Sequence, residues 1–434
     1  MLDIKFIREN ADLITLAGKK KHLDFDVAKL LEVDDKRKEA LQSLEKMRAD
    51  HNDISDKIPK AAPDERTALV ADSKAMKGEM EKKEETLREI MKEWQTLMLS
   101  VPNIPDISVP EGETDANNVE VSTWGEIPKF DFEPKSHTEL MGNLNMVDFE
   151  RGSKVAGYRG YFLKNDAVLL ELAVWNLVVE ILSKRGFAPM FVPSHVKKET
   201  MMGTGYLPQG EEDTYHTQDA TYLAGTGEVA AMGYYMNEII PAEKFPIKML
   251  AFSPCFRREA GAAGKDTKGL MRVHEFMKWE QVILCEASHM TSVELHEELR
   301  QNAEDILRAL EIPYHVVINC GGDLGQGQVK KYDIEAWVPS EKKYRETHSC
   351  SYFHDFQTRR LGIRYKNADG KLQFAHSLNN TALAFPRALI PLVENHQQAD
   401  GSIKIPKALQ KWMGKKRLCD KKRNNRKIER LRRR

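Results

Sequence analysis

The stretch "CFRREAGAAGKDTKGLMRVHEFMKWEQV", residues 255–282, holds the densest set of side chains able to do chemistry. It reads as two strands joined by a long loop. Side chains alternate across a strand, so Arg257 and Glu259 share one face and Phe276, Lys278 and Glu280 share the facing one, while Arg258 points away. A fixed arginine suits bidentate contact with a phosphate or carboxylate. An aromatic ring beside it suits stacking on a base. Long loops inside compact domains tend to be functional. Gly261, Gly264 and Gly269 permit this one to move, and Lys265, Lys268 and Arg272 make it basic. The plain alternative is a surface hairpin whose charges pair only with each other.

Three further segments carry compatible groups. "LAGTGEV" (223–229) sets Thr226 and Glu228 two residues apart, a hydroxyl and a carboxylate suited to a small ligand bearing an ammonium and a hydroxyl. "YRETHSCS" (344–351) supplies Glu346 and Ser349, oxygen donors appropriate to a hard cation such as Mg²⁺. "SLNNTALAFPRALIPLVENHQ" (377–397) adds Asn379, Thr381 and Arg387.

These segments need a scaffold. "KMLAFSPCFRRE", "KWEQVILCE", "YHVVINC" and "YDIEAWVP" read as strands bounded by turn residues. "FAPMFVPSHV" reads as an edge or interface strand, because Pro189 and Pro193 interrupt it. The apolar face of 165–186 predicts a helix capped by Asn165 or Asp166 and stopped at Gly186. Clustered rather than alternating helices favour an α+β domain built on an antiparallel sheet.

Ahead of it, positions 33, 37, 40, 44, 47, 51, 54 and 58 follow a heptad seam, and 69, 73, 76, 80, 83, 87, 90, 94 and 97 follow a second. "PKAAPDE" (59–65) breaks the helix between them. Two antiparallel helices of roughly 45 Å result, a dimerisation device or a lever for something large. "VPNIPDISVPEGETDANN" (101–118) reads as a linker. The expected organisation is an arm over 1–100, a linker over 101–118, the α+β domain over 119–412 and a basic tail, expected to be disordered, over 413–434.

Totals bound the rest. Five scattered cysteines with no CxxC pair argue against a disulfide framework and a closed zinc site, and suit a reducing compartment. No apolar run reaches the length of a membrane span, and Asp3 and Glu9 spoil a targeting reading of the start, so a cytoplasmic location is expected. Lysines and arginines equal acidic residues at 66 each, but Lys415–Arg434 holds twelve basic and two acidic ones. Such a tail could hold RNA phosphates or a localisation signal, or simply be solvated.

With these residues in place, the chain resembles seryl-tRNA synthetases, a family of class II aminoacyl-tRNA synthetases. "FRREAGAAGKDTKGLMRVHEFMKWE" resembles the family's motif 2, Pro193 with "GTGYLP" (203–208) resembles motif 1, and "SCSYFHDFQTRR" with "LNNTALAFPR" resembles the serine-specific region and motif 3. The likeness runs from residue 1 to about 412.

The resemblance implies activation of serine by ATP, then transfer to the 3′ end of tRNA-Ser, with tRNA-Sec as a further candidate. It implies that Thr226, Glu228, Glu280, Thr381 and Asn379 recognise serine, and that Arg257 bridges the serine carboxylate and the ATP α-phosphate. Glu259 is implied on the adenine side, Phe276 stacked on the base and Arg387 on the γ-phosphate, making Arg257, Glu259 and Arg387 the catalytic set. Arg258, Lys278, Thr347 and His348 complete the implied ATP contacts. Glu346 and Ser349 are implied to bind Mg²⁺, and no zinc is expected. The arm is implied to reach the tRNA's long variable arm across a homodimer.

The chain departs from the family pattern at Gly225 and Gly227, His348, Tyr352, Asn380 and Pro386, with Pro391 following. A catalytically weakened tRNA-binding paralogue and an amino acid:carrier protein ligase are the alternative readings. The second lacks the arm and uses a cysteine-ligated zinc.

Overall fold

The computed structural model describes residues 2–419 apart from Ala263 and Lys265. Lys265 of the basic loop and the tail from residue 420 onward therefore lie outside the described residues. The chain divides into two compact units, one ending at Ile104 and the other beginning at Pro105.

In the first unit, helices α1 (Ile4–Glu9) and α2 (Ala11–Lys20) precede two long ones, α3 (Val27–Lys57) and α4 (Pro63–Ser100). Asp26 caps α3 by accepting from the Lys29 amide at 2.9 Å. A short 3-10 turn, Ile58–Lys60, ends it. Pro63 then opens α4 at its first position, where a missing N–H costs nothing, with Asp64 and Glu65 in the positive first turn. At 1.5 Å per residue the two helices are about 46 and about 57 Å long.

Val33 and Leu44 on the first seam are buried, and the remaining positions of both seams are half-buried. The polar seam residues meet partners. His51 Nε2 and Ser73 Oγ are 3.1 Å apart, Lys83 Nζ donates to Ser43 Oγ at 2.7 Å, and Arg37 lies 4.7 Å over the Trp94 ring. Ile7, Ile14, Leu30, Met98 and Val101 pack the base of the arm.

The second unit is built on an eight-stranded sheet. Its strands in chain order are β1 (Val119–Trp124), β2 (Ala188–Phe191), β3 (Ile247–Phe256), β4 (Glu275–Cys285), β5 (Tyr314–Ile318), β6 (Lys330–Val338), β7 (Lys343–His354) and β8 (His376–Phe385). They lie in the order β1-β5-β6-β7-β8-β4-β3-β2, so the proline-interrupted strand is an edge. Every pair is antiparallel except β2 on β3.

Helix α5 (Asp166–Ser183) follows Asn165 as its N-cap, and α6 (His289–Ala309) starts from a Ser288 cap. Leu170, Val174 and Val178 of α5 and Leu299, Ala303 and Ile306 of α6 share one core with Ile283, Ile334, Leu378 and Leu383 of the sheet. That core occupies one face. The other face carries the cavity beside a smaller core, in which Met249, Ala251, Val282 and Leu284 of the sheet pack against Ala231, Met232, Leu361 and Ile363.

The Pro-, Gly- and Asn-rich stretch ahead of β1 is laid along this unit. Asp106 N donates to Val329 O at 2.9 Å, Asp106 Oδ2 accepts from the buried Tyr352 hydroxyl at 2.8 Å, and Asn118 Oδ1 accepts from Cys320 N at 2.9 Å. Among the described residues, no helix is long and apolar enough to cross a membrane.

Candidate active site

A cavity of about 300 Å³ opens on the sheet face away from the helical core. Strands β4, β8 and β7 supply its floor, and the loops around Tyr206, Met271 and Gln326 supply its walls. Of the residues singled out in the sequence, Thr226, Glu228, Arg257, Glu259, Phe276, Lys278, Glu280, Glu346, Thr347, Ser349, Asn379, Thr381 and Arg387 all line it. Arg258 and His348 do not.

One end is acidic and dry. Thr226, Glu228 and Glu280 are buried, and Glu280 stands opposite Thr381 across the β4–β8 ladder. Glu228 opens the short helix Glu228–Gly233, and its amide donates to Thr226 Oγ1 at 3.3 Å. Its carboxylate accepts from the Tyr206 hydroxyl at 2.8 Å and from Gln357 Nε2 at 2.7 Å. The Gln357 amide is itself fixed, donating to Thr204 O at 3.1 Å and accepting from Ser377 Oγ at 2.7 Å. The side-chain donors to Glu228, Asn379 among them, are neutral, so burial, with the nearby Glu280 carboxylate, pushes its carboxyl above the ordinary range. Lys278 and Glu280, two residues apart on β4, form a buried ion pair. A ligand ammonium entering this end would meet in Glu228 a carboxylate that these neutral donors leave without a countercharge.

The other end is framed by arginines. Arg257 donates from Nε to Gly225 O at 3.3 Å and sits 5.4 Å over the Phe276 ring. Arg387 lies 3.7 Å from Glu346. Glu346 is about half exposed; crowding by the cavity wall opposes its ionisation, yet Arg387, Lys331 and Arg257 outweigh that and hold the carboxyl below its ordinary range. Glu259 is paired with Arg272 at 2.9 Å, and Arg272 also reaches Asp266 at 3.1 Å.

Strict alternation would put Glu346 and Ser349, three residues apart, on opposite faces. A β-bulge brings them together. Ile334 pairs with His348 and Glu335 with Glu346, so Thr347 is the extra residue. A second bulge in β8, at Ala382 opposite Trp279 and Glu280, places Thr381 and Ala384 on the same cavity wall.

His348 corrects the expectation of an ATP contact. It is buried on the helix side of β7, where its Nε2–H donates to Ala382 O at 3.1 Å and its Nδ1 lies 2.9 Å from the Thr347 hydroxyl, which itself donates to Ile334 O at 3.1 Å. It thus pins the two bulges to each other. Burial drives its pKa down to about 4, which keeps the ring neutral. Arg258 turns outward and donates to Glu212 O at 3.0 Å.

Arg257 and Glu259 both reach the cavity, but not by strand alternation: β3 ends at Phe256, and Glu259 takes a left-handed backbone, φ +54°. The prolines flanking Arg387 fit without a kinked helix. Pro386 follows the strand end, and Pro391 is the third residue of α7 (Leu389–Asn395), where an amide has no intrahelical partner.

Residues 1–105 match the family model of the seryl-tRNA synthetase N-terminal domain, and 212–396 match that of the class II tRNA synthetase core domain for G, H, P, S and T. A serine–tRNA ligase of Deinococcus radiodurans is 46% identical over 415 residues, covering 95% of this chain and 98% of that one. The chain belongs to the seryl-tRNA synthetase family. Two solved seryl-tRNA synthetases share its fold over 97% of its length. That of Pyrococcus horikoshii, complexed with ATP, has a TM-score of 0.87 at 36% identity and is covered completely; that of Naegleria fowleri, with AMP, has 0.84 at 32% and is covered to 99%.

In this synthetase, several lining residues escaped sequence reasoning. Among them, Tyr206 and Gln357 hold Glu228, the 325–328 loop forms a wall, and Leu270, Met271 and Val273 belong to the inner limb of the motif 2 loop. All but the 325–328 loop lie inside segments that resemble the family's motifs, yet nothing in their spacing says which side chains turn inward; tertiary folding sets that. Two departures from the family pattern, Tyr352 and Asn380, face the helical core, where Asn380 Nδ2 donates to Leu299 O at 2.6 Å. They leave the cavity unchanged.

Proposed function

We propose that this cavity carries out serine activation and transfer. A serine carboxylate oxygen attacks the α-phosphorus of ATP, the bond to the β-phosphate breaks and pyrophosphate leaves. A hydroxyl at the 3′ end of tRNA-Ser then attacks the acyl carbon, and AMP leaves. The observation that carries the reading is one cavity with a buried, acidic amino-acid end and an arginine-framed end, with Arg257 between them.

Thr226, Glu228, Glu280, Asn379 and Thr381 receive the ammonium and hydroxyl of serine. Arg257 faces the carboxylate and the α-phosphate, where a fixed guanidinium stabilises developing negative charge. Phe276 receives the adenine, Glu259 reaches its edge and Arg387 meets the γ-phosphate. Catalysis is then positioning and electrostatics, with no protein nucleophile.

Glu346 and Ser349 would hold Mg²⁺, which would supply positive charge against the phosphates when bound. The fit is good, because Mg²⁺ takes one or two protein oxygens alongside phosphates and waters, and the bulge at Thr347 aims both donors into the cavity. Among the described residues no group of three or more His, Cys, Asp and Glu is arranged to hold a metal by itself.

The arm serves tRNA binding, the assembly is a homodimer and the location is cytoplasmic. An apolar face supports the dimer: Leu169 and Leu172 on α5 are nearly half exposed, and Phe191 on the β2 edge is 82% exposed.

Serine-dependent ATP–pyrophosphate exchange tests the reading. Exchange is expected from the intact chain and should fall about 10²–10³-fold in Arg257→Ala, the scale for losing one oriented charge donor. Near-normal exchange in that variant would remove the clamp role.

A further inference from the structure

We infer that His137, ahead of every motif in the chain and outside the cavity lining, is a positioning residue for the nucleotide end of the site. The inference rests on reading that end as the ATP subsite. His137 opens the short helix His137–Asn143 behind the Ser136 cap. Its ring lies between the inner limb of the motif 2 loop and helix α7. The Leu270 amide donates to Nε2 at 3.2 Å, which fixes Nε2 as the acceptor. The ring proton therefore sits on Nδ1 and is donated to Glu394 Oε1 at 3.0 Å. The same oxygen accepts the His137 amide at 2.7 Å, and Glu394 Oε2 accepts from the Ser340 amide at 3.0 Å.

Glu394 is fully buried on α7, the helix that follows Arg387. Gly269, just before Leu270, has φ +83°, and a Cβ there would stand 2.4 Å from His137 Nε2. Glycine is what lets the ring approach so closely. The residues directly after the bridge do the work of the site's rim. Met271 O accepts from Arg387 Nε at 3.4 Å, and Arg272 pairs with Glu259 at 2.9 Å. A single imidazole thus ties the loop to the motif 3 helix at the point where both deliver side chains to the cavity.

The bridge has two halves that different amides copy. The longer amide of His137→Gln can present an acceptor where Nε2 stands, and the shorter one of His137→Asn can present a donor where Nδ1 stands. The experiment measures ATP–pyrophosphate exchange and amide hydrogen exchange at Leu270 in His137→Gln, His137→Asn and His137→Leu. His137→Leu should raise the ATP KM about tenfold, the scale of one lost net hydrogen bond with its neighbour left unpaired, while the serine KM stays within about twofold. His137→Gln should recover Leu270 protection and ATP KM better than His137→Asn, and this ordering holds even if the leucine variant fails to fold. Equal Leu270 protection and equal ATP KM in the two amide variants would overturn the inference, as would ATP and serine KM rising in parallel. Protection at Leu270 needs no turnover, so it reports on the bridge independently of the catalytic reading.

Discussion

Glu228 is the residue in the cavity with the most to lose when no ligand is bound. It is buried, its side-chain partners are neutral, and its carboxyl titrates above the ordinary range. Below about pH 4.3, the ordinary glutamate value, both folded and unfolded chains carry it protonated. As pH rises through that value the unfolded chain ionises first, so stability is lost progressively until the folded pKa is passed. Glu228→Gln should therefore melt higher than the parent at neutral pH, with the gap closing below about pH 4.3 in thermal melts taken from acid to neutral pH. The same variant should lose serine-dependent exchange. Binding an ammonium would lower the carboxyl's pKa, so serine binding should release protons, measurable as a buffer-dependent heat in calorimetry.

At the scale of elements, the β4 side chains were legible because the strand is regular: Phe276, Lys278 and Glu280 share a face as period two requires. Glu346 and Ser349 were not legible by the same rule, since a bulge separates them and bulges leave little mark in a single sequence. His348 fell on the wrong side for the same reason. The seams of the arm were legible down to single positions, because every seam residue is at least half-buried while most of its sequence neighbours are exposed. Their polar members, which weaken the pattern in sequence, are the ones that bond across the helices and so favour one register. Deleting residues 34–98 should leave ATP–pyrophosphate exchange within about threefold of the parent and abolish charging of tRNA-Ser in an aminoacylation assay. Arm and cavity are built on separate cores, each complete in its own unit.

At the scale of the molecule, the apolar face formed by Leu169, Leu172 and Phe191 argues for a second copy. If that copy is bound there, the parent should sediment as a dimer at micromolar protein and the charged variant Leu169→Glu with Phe191→Glu as a monomer, since two buried charges would cost several kcal/mol at an unpaired interface. The sheet itself sets a further boundary. One of its faces is covered by the α5 and α6 core, the other is shared by the cavity and a smaller core, and His348, Tyr352 and Asn380 all fall on the first. Away from His348, which pins the bulges behind Glu346 and Thr381, substitutions on that first face act mainly on stability, and those around the cavity mainly on turnover. Lineages, or engineers, can therefore harden this enzyme against heat by rewriting one surface of a single sheet while its catalytic inheritance, a strand's thickness away, stays untouched.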